Sequence, residues 1–234
     1  MLDKVDVCVV TRDGKLPKGL ECLPVKNIII ETSFPIGLAR KRAIEKVSTE
    51  WFAFIDDDVE ITPEWFPICS LFIKDGVGAV NDTDSYKGLG VFDRVIFNGP
   101  IIPKEVTYKG RLNGNNILIK TDLVRDWFPD ENRRCYEDLT IGRHVLSKGY
   151  KKIVTPALCY HGKDWGSVKR SALWARREYT KMYSISVFRI VVRKIIEPLK
   201  HLVYGGILYS IFTSYSNFWL IIGILQSQFK ERRV

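Results

Sequence analysis

The stretch WFAFIDDDVEITPEW, residues 51–65, places three consecutive carboxylates directly after an apolar run. The run WFAFI has the length and the aromatic content of a buried strand, so Asp56, Asp57 and Asp58 would stand where that strand ends. Open α/β sheets bind ligands at the carboxyl ends of their strands. A solvated acidic loop is the alternative, and the apolar run before the carboxylates disfavours it.

Three neighbouring carboxylates repel one another unless a cation lies between them. Mg²⁺ and Mn²⁺ take oxygen ligands, and Mg²⁺ commonly binds one or two protein carboxylates together with substrate phosphates. Because residues i and i+2 of an extended strand point the same way, Asp56 and Asp58 could converge on one ion while Asp57 points elsewhere. The stretch therefore predicts a site for Mg²⁺ or Mn²⁺.

Around this stretch, β-branched runs alternate with segments of helical spacing. A further helix is predicted directly after the acidic stretch, with Thr62 as its N-cap and Pro63 in its first turn. This alternation favours an α/β fold with a mainly parallel central sheet. The other predicted strands are residues 5–13, 25–33, 77–82, 115–122 and 152–161, and the other predicted helices are residues 36–50 and 137–149.

Length and composition suit one large domain or a domain with an appendage, because the chain has 234 residues and is 46% hydrophobic. Its five cysteines include no CxxC pair, so we expect buried thiols in a reducing compartment rather than a disulfide framework.

The start MLDKVDVCVV has acidic residues and lacks the basic region of a signal peptide. We therefore expect the catalytic part to lie in the cytoplasm.

The net charge of +9 is concentrated in the last third of the chain. Residues 1–162 hold 23 Lys and Arg against 23 Asp and Glu, whereas residues 163–234 hold 13 against 4. This asymmetry indicates an anionic partner for the tail. We expect a catalytic domain over residues 1–165 and a helical membrane-associating region over residues 166–234.

The tail combines a basic and an apolar segment. Residues 187–200 place Arg189 and Arg193 beside an apolar face, as a basic amphipathic helix does, and Pro198 is predicted to end that helix. Residues 202–229 carry no charge and could span a bilayer, but five Ser, Thr and Asn residues interrupt their middle. We expect helices that lie in the interface of a membrane with anionic lipid. A single span and a soluble helical hairpin are the alternatives.

Three segments together resemble the motifs of family 2 glycosyltransferases. They are LARKRAIEKVSTEWFAFIDDD (38–58), LNGNNILIKTDLV (112–124) and YEDLTIGRHVLSKGYK (136–151), and they occur in the family's order and spacing. The resemblance covers roughly residues 5–161. It implies the GT-A fold and transfer of a sugar, with inversion at the anomeric carbon, from a nucleotide sugar linked to UDP or GDP.

The resemblance implies a metal site built on the acidic stretch. Asp56 and Asp58 would hold Mg²⁺ or Mn²⁺, which would bridge the two phosphates of the donor as a Lewis acid. His161 would be a third metal ligand or a phosphate contact, although a lone histidine is more often structural. Asp57 would then form a hydrogen bond to the ribose or the sugar of the donor. Asp56 is expected to bind the donor as well as the metal.

The resemblance also implies a general base, which the acceptor hydroxyl needs because it is a weak nucleophile. Asp138, with Glu137 beside it, matches the family's base motif; a charge that merely favours a helix start is the alternative. Glu31 stands where the family usually has Asp, which leaves the nucleobase open. The expected donor-binding residues are Thr11, Arg12, Asp13, Glu31, Arg40, Asp56, Asp57, Gly114 and Asn115.

The tail and the resemblance together predict an enzyme that extends a lipid-linked glycan at the cytoplasmic face of the membrane. Other classes remain open at this point. A nucleotidyltransferase would share the use of metal and nucleotide, and a metal-dependent protein acting on nucleic acid could use the basic tail. We expect no nucleic-acid partner, because the basic residues lie in a segment that is also strongly apolar. A binding protein with an inactive site is a further alternative.

Overall fold

The computed structural model describes residues 4–93, 104–106, 116–129, 137–173, 186–204 and 206–231. These residues form two compact units. The first, called the sheet unit, contains the described residues up to Ser85 and those between 96 and 162. The second, called the helical unit, contains the described residues of 86–95 and those from 163 onward. The domain division after residue 165 stays a prediction.

The sheet unit is built on strands β1 to β8, in the spatial order β2-β1-β3-β7-β5-β8-β4 with β6 paired to β8. The pairs β1–β2 and β1–β3 are parallel, whereas β3–β7, β5–β7, β4–β8 and β6–β8 are antiparallel. The strands are β1 (Val5–Val10), β2 (Val25–Glu31), β3 (Trp51–Ile55), β4 (Val59–Ile61), β5 (Val77–Lys87), β6 (Lys104–Val106), β7 (Asn116–Lys120) and β8 (Lys151–Gly162).

Helices cover both faces of this sheet, because alternate residues of the central strands point to opposite sides. In β3, Trp51, Ala53 and Ile55 pack into one core, which also contains Trp65 from α2 (Trp65–Ser70). Phe52 and Phe54 pack into the other core, with apolar side chains from α1 (Ile36–Lys46) and α3 (Glu137–Ser147). The α/β prediction is therefore confirmed.

The helix after the acidic stretch begins later than predicted. It starts at Trp65 and not at Pro63, and Thr62 does not cap it. Instead, the Thr62 hydroxyl donates to the carbonyl of Leu158, at 2.8 Å. A residue with good capping chemistry thus satisfies a distant backbone carbonyl, and the capping prediction is wrong.

The helical unit contains α4 (residues 165–173), α5 (Val187–Tyr204) and α6 (Gly206–Glu231). A small core of Ala172, Ile190, Leu220 and Ile224 joins these three helices. Gly206 has a φ of 79°, a left-handed conformation that glycine adopts without strain, and it stands where the chain reverses from α5 into α6. Contacts between early α5 and late α6, and between late α5 and early α6, make the two helices an antiparallel hairpin.

Pro198 was predicted to end helix α5, but the helix continues to Tyr204. Proline has no N–H group, so the carbonyl of Lys194, four residues earlier, lacks its usual helical donor. The side-chain amide of Asn217 on α6 donates to that carbonyl at 2.9 Å. The hydroxyl of Ser210 donates to the carbonyl of Pro198 at 2.9 Å. Two polar residues of the apolar segment thus support α5 from the neighbouring helix.

Within the described part of the chain, one helical stretch, Gly206–Gln226, is long and apolar enough to cross a membrane. One third of it is buried within the protein (33%). Length and composition alone do not distinguish a span from an interfacial or packed helix.

Candidate active site

The three aspartates form the tight turn that joins β3 to β4. The N–H of Val59 donates to the carbonyl of Asp56 at 3.2 Å, and the N–H of Gly162 on β8 donates to the carbonyl of Asp58 at 2.9 Å. These two hydrogen bonds fix the backbone on both sides of the turn. As a result, each of the three carboxylates faces a different partner.

Asp57 faces the end of β1. The Thr11 hydroxyl lies 2.6 Å from Oδ2 of Asp57 and 3.0 Å from Oδ1 of Asp13, and its single proton can serve only one of them. Thr11 is buried, whereas Asp13 and Arg12 are exposed. The structure thus brings Asp57 together with the three donor-binding residues predicted at this strand end.

Asp56 faces Arg40 of α1. An Nη atom of Arg40 lies 3.2 Å from Oδ1 of Asp56, and its Nε lies 3.3 Å from Oε1 of Glu137, the first residue of α3. The guanidinium also lies over the ring of Phe54, 5.0 Å from its centroid, and Arg40 is only 3% exposed. Arg40 therefore ties the acidic turn to the start of the helix that carries Asp138.

The carboxyl of Asp56 lies in a crowded electrostatic environment. Burial raises the pKa of Asp56 to about 7, and the negative charges of Asp58 and Glu137 act in the same direction. The positive charge of Arg40, and to a lesser extent that of His161, lowers it. Three carboxyl groups close together thus make this edge of the sheet favourable for an added cation.

Asp58 faces His161 on β8. Nε2 of His161 lies 2.6 Å from Oδ1 of Asp58, and the two side chains are 7% and 40% exposed. Within the described ranges, no group of three or more His, Cys, Asp and Glu side chains is arranged to hold a metal ion. Asp58 offers a carboxylate oxygen of the kind that Mg²⁺ and Mn²⁺ prefer, and the His161 nitrogen lies beside it, while Asp56 is paired with Arg40.

Asp138 lies in the first turn of α3 and is 4% exposed. Its Oδ1 accepts a hydrogen bond from the N–H of Leu139 at 2.8 Å. Lys152 of β8 is fully buried nearby: burial lowers its pKa to about 8, whereas the charge of Asp138 acts to raise it. The buried Lys152 therefore interacts electrostatically with the candidate base Asp138.

Sequence reasoning missed a buried polar network beside the acidic turn. Asn116, the first residue of β7, is paired with Ile55 and is thus next to Asp56 in the sheet. Its side-chain amide donates to Oδ2 of Asp82 at 2.8 Å, and the indole N–H of Trp65 donates to the same oxygen at 2.9 Å. Lys152 was missed as well. Asn116 lies in the 112–124 motif, but the long-range strand pairing that brings it to Asp82 is not visible in the sequence.

Three of the predicted donor-binding residues remain, namely Glu31, Gly114 and Asn115. Glu31 is buried, forms an ion pair with Lys46 and accepts a hydrogen bond from the Ser33 hydroxyl at 3.3 Å. Its backbone carbonyl accepts from the N–H of Thr11 at 3.0 Å, so it lies beside the end of β1. Gly114 and Asn115 lie outside the described residues.

Arg40→Met should lower the free energy of unfolding by about 3 kcal/mol, because it leaves two poorly solvated carboxylates without their shared cation. Arg42→Met is the matched control, since Arg42 is an exposed arginine of the same helix, and it should change stability by less than about 0.5 kcal/mol. Urea denaturation of the full chain, followed by a signal from the sheet unit, measures the free energy of unfolding of both variants. Equal effects of the two substitutions would contradict a bridging role for Arg40.

Comparison with known proteins gives one family match. Residues 18–111 match the model of glycosyl transferase family 2. This segment contains α1, the acidic turn and β5, whereas Thr11, Asp138 and His161 lie outside it. The comparison with curated proteins found no match.

The comparison with solved structures found similar chains at low sequence identity, among them the following two. The crystal structure of A197 from STIV has 15% identity and a TM-score of 0.49, covering 69% of this chain and 86% of that chain. The crystal structure of S. aureus TarS 1–349 in complex with UDP-GlcNAc has 14% identity and a TM-score of 0.49, covering 96% and 92%.

The family match agrees with the motifs found in the sequence and with the position of the acidic turn at a strand end. It confirms the GT-A fold class and favours glycosyl transfer over nucleotidyl transfer or action on nucleic acid. Residues 18–111 of this chain are thus similar to glycosyl transferase family 2, the family that the sequence motifs resemble.

Proposed function

We propose that this enzyme transfers a sugar from a nucleotide diphosphate donor, linked to UDP or GDP, to an acceptor hydroxyl with inversion of the anomeric configuration. The observation that carries the proposal is the link from Asp56 through Arg40 to Glu137. This link brings the acidic turn and the start of α3 to the same site. The acidic turn, which would bind the diphosphate side of the donor, and the candidate base Asp138 are therefore held at one site.

The donor would bind at the ends of β1 and β3. Thr11 fixes the carboxylate of Asp57, so that Asp57 can accept a hydrogen bond from a ribose or sugar hydroxyl. Arg12 and Asp13 are exposed beside it and can contact the nucleoside. Glu31, already paired with Lys46, would act through the position of this strand end more than through a direct contact.

Asp58 and His161 would hold a Mg²⁺ or Mn²⁺ ion, with Asp56 contributing charge from the same turn. When bound, such an ion neutralises negative charge on the diphosphate leaving group. The side chain of Asp58 is 40% exposed, so it is accessible to an incoming nucleotide. The three aspartates therefore have separate tasks: Asp57 orients the donor, Asp58 binds the cation, and Asp56 holds Arg40.

Asp138 would remove the proton of the acceptor hydroxyl. The acceptor oxygen then forms a bond to the anomeric carbon, the bond from that carbon to the phosphate oxygen breaks, and its electron pair leaves with the diphosphate. A single displacement of this kind inverts the anomeric centre.

The acceptor that fits the tail is a lipid-linked glycan at the cytoplasmic face of the membrane. The helical unit exposes large apolar side chains together with arginines and lysines, and apolar area and positive charge both add to binding at an anionic lipid surface. A polyprenyl phosphate or diphosphate carrying a sugar, or a glycolipid, has both an apolar chain and a glycan hydroxyl.

A thermal-shift screen of nucleotide sugars with Mn²⁺ tests the donor class. UDP- or GDP-linked sugars should raise the midpoint of unfolding, because a ligand at about 100 times its dissociation constant adds roughly 2.7 kcal/mol of stability. Adenosine monophosphate, which lacks a diphosphate and a sugar donor group, is the control. A panel in which no nucleotide sugar shifts the midpoint more than this control would contradict the proposed donor class.

A further inference from the structure

Helix α5 carries an exposed apolar stripe along its whole length. Its members recur every three or four residues and therefore lie on one side of the helix. Each of them is between 38% and 76% exposed, far more than apolar residues that pack in a core. The members of this stripe are Phe188, Val192, Ile195, Ile196, Leu199, Leu202 and Val203.

A row of cations borders the stripe. Arg189, Arg193 and Lys200 each follow a stripe residue by one position, so they lie together along one edge of it, and all three are exposed. A groove of about 440 Å³ opens on this side of the helix. The three cations line it together with three stripe residues, Phe188, Val192 and Ile196, and with Glu197 and His201. Three positive charges against one carboxylate leave the groove suited to a phosphate group beside apolar surface.

The opposite side of α5 faces α6 and holds the remaining polar groups. Nζ of Lys194 lies 2.7 Å from Oε2 of Glu197, and the amide of Asn217 donates to the same oxygen at 3.0 Å. The rings of His201 and Tyr209 meet with centroids 4.3 Å apart. These contacts join the polar groups to α6, although Glu197 and His201 also line the groove, and they leave the stripe as the outward face.

The hairpin geometry bears on how the apolar helix α6 meets a membrane. Because α5 runs antiparallel beside it, a transmembrane α6 would carry α5 into the bilayer, including Arg193 and Lys200. A charge near the centre of a bilayer lowers partition into it by roughly 100-fold even on the mildest scale. A hairpin lying flat avoids this, since its cations stay at the level of the phosphates.

We propose that α5 lies in the plane of an anionic membrane surface, with the stripe at the acyl boundary, with Arg189, Arg193 and Lys200 at the lipid phosphates, and with α6 alongside without crossing. The inference rests on the membrane location in the proposed function and extends it to a docking face and an orientation. A second copy of this chain is a poorer occupant, because pairing two such faces would bring their arginines and lysines together.

Partition of the full-length chain into vesicles tests the docking face. The triple variant Arg189→Gln, Arg193→Gln, Lys200→Gln should bind vesicles containing phosphatidylserine about 100-fold more weakly, since each charge near the surface contributes roughly fivefold. The matched control neutralises three exposed lysines of the sheet unit, Lys15→Gln, Lys18→Gln and Lys74→Gln, and should have little effect. Equal losses, or no loss in the triple variant, would overturn the proposal.

The apolar stripe has its own pair of variants. Phe188→Ser with Leu199→Ser should weaken binding to the same vesicles at least tenfold, because each replacement removes a large exposed apolar side chain from the membrane-facing stripe. Leu71→Ser with Phe128→Ser removes two equally exposed apolar side chains of the sheet unit and should leave binding unchanged. A stable dimer in sedimentation that the stripe variant dissociates, with no vesicle binding by the wild type, would overturn the proposal in favour of a self-association face.

Labelling of Gln226→Cys distinguishes a flat hairpin from a span. Protein added to sealed vesicles is treated with a membrane-impermeant maleimide, and the peptide that contains position 226 is read by mass spectrometry. We expect labelling without detergent; protection until detergent is added would overturn the flat orientation. Nucleotide-sugar binding of each variant is measured by thermal shift in parallel, so that failure of glycosyl transfer and failure of membrane docking are seen separately.

Discussion

Replacing Asp138 by Asn should lower the rate of glycosyl transfer by about 100-fold or more while leaving donor affinity unchanged. The substitution keeps the size of the side chain and its acceptor oxygen for the Leu139 N–H, but it removes the group that takes the proton. An effect on turnover without an effect on binding is typical of a group that acts in the transition state. Single-turnover transfer rates and calorimetric nucleotide affinity measure the two quantities.

Asp122→Asn is the matched control for this prediction, because the side chain of Asp122 is 82% exposed and pairs only with Arg125 at 3.4 Å among the contacts resolved. It should leave both turnover and affinity within twofold of the wild type. Near-normal turnover in the Asp138 variant would mean that Asp138 merely favours the start of α3. In that case the base lies elsewhere.

Replacing Asp58 by Ala should remove most of the nucleotide affinity and should abolish its dependence on Mn²⁺. Asp58 is the carboxylate of the turn that is both accessible and adjacent to His161, so its loss removes the oxygen ligand of the proposed site. The wild type should bind UDP or GDP tightly with Mn²⁺ and weakly in EDTA. The variant should bind weakly in both, a reduction of roughly 100-fold or more in the presence of the ion.

The variant His161→Gln separates the ligand role from structure. It should weaken Mn²⁺-dependent binding in the same direction as Asp58→Ala, and urea denaturation of both variants controls for loss of folding. If wild-type affinity is the same in EDTA as in Mn²⁺, the acidic turn serves the donor without a metal. Calorimetry of nucleotide binding under the two conditions decides between these cases.

The acidic turn could be located from the sequence because local signals coincide there. An apolar run predicts the strand, and three polar residues mark its end; β3 and the turn confirm this. Residues 56–58 form a turn and not extended strand, so the convergence of Asp56 and Asp58 on one ion stays a prediction. The alternation of predicted strands and helices also predicted the parallel pairing of the first three strands.

What the sequence did not reveal depends on contacts between distant segments. The antiparallel strand β7 inserts beside β3, and only this pairing brings Asn116 and Asp82 next to the acidic turn. The interaction of Lys152 with Asp138 is likewise a contact between β8 and α3. No local sequence pattern encodes such contacts, because the sequence of each segment does not specify which distant segment packs against it.

The tail shows how a tertiary contact overrides a local rule. Proline usually ends a helix, and Pro198 was expected to do so. Instead, Asn217 donates to the carbonyl that the proline leaves without its helical partner. The same contact explains why an otherwise apolar helix contains an asparagine. The polar residues that seemed to interrupt a span are in part the residues that join α6 to α5.

The central claim is a sugar transfer with inversion, and proton NMR of a nucleotide sugar incubated with the full-length enzyme and Mn²⁺ tests it most directly. With a donor that the thermal-shift screen identifies, we predict that the diphosphate is released and that the first sugar product has the anomeric configuration opposite to that of the donor. An intact donor in the presence of folded, nucleotide-binding enzyme, or a first product with the donor's own configuration, would contradict the account.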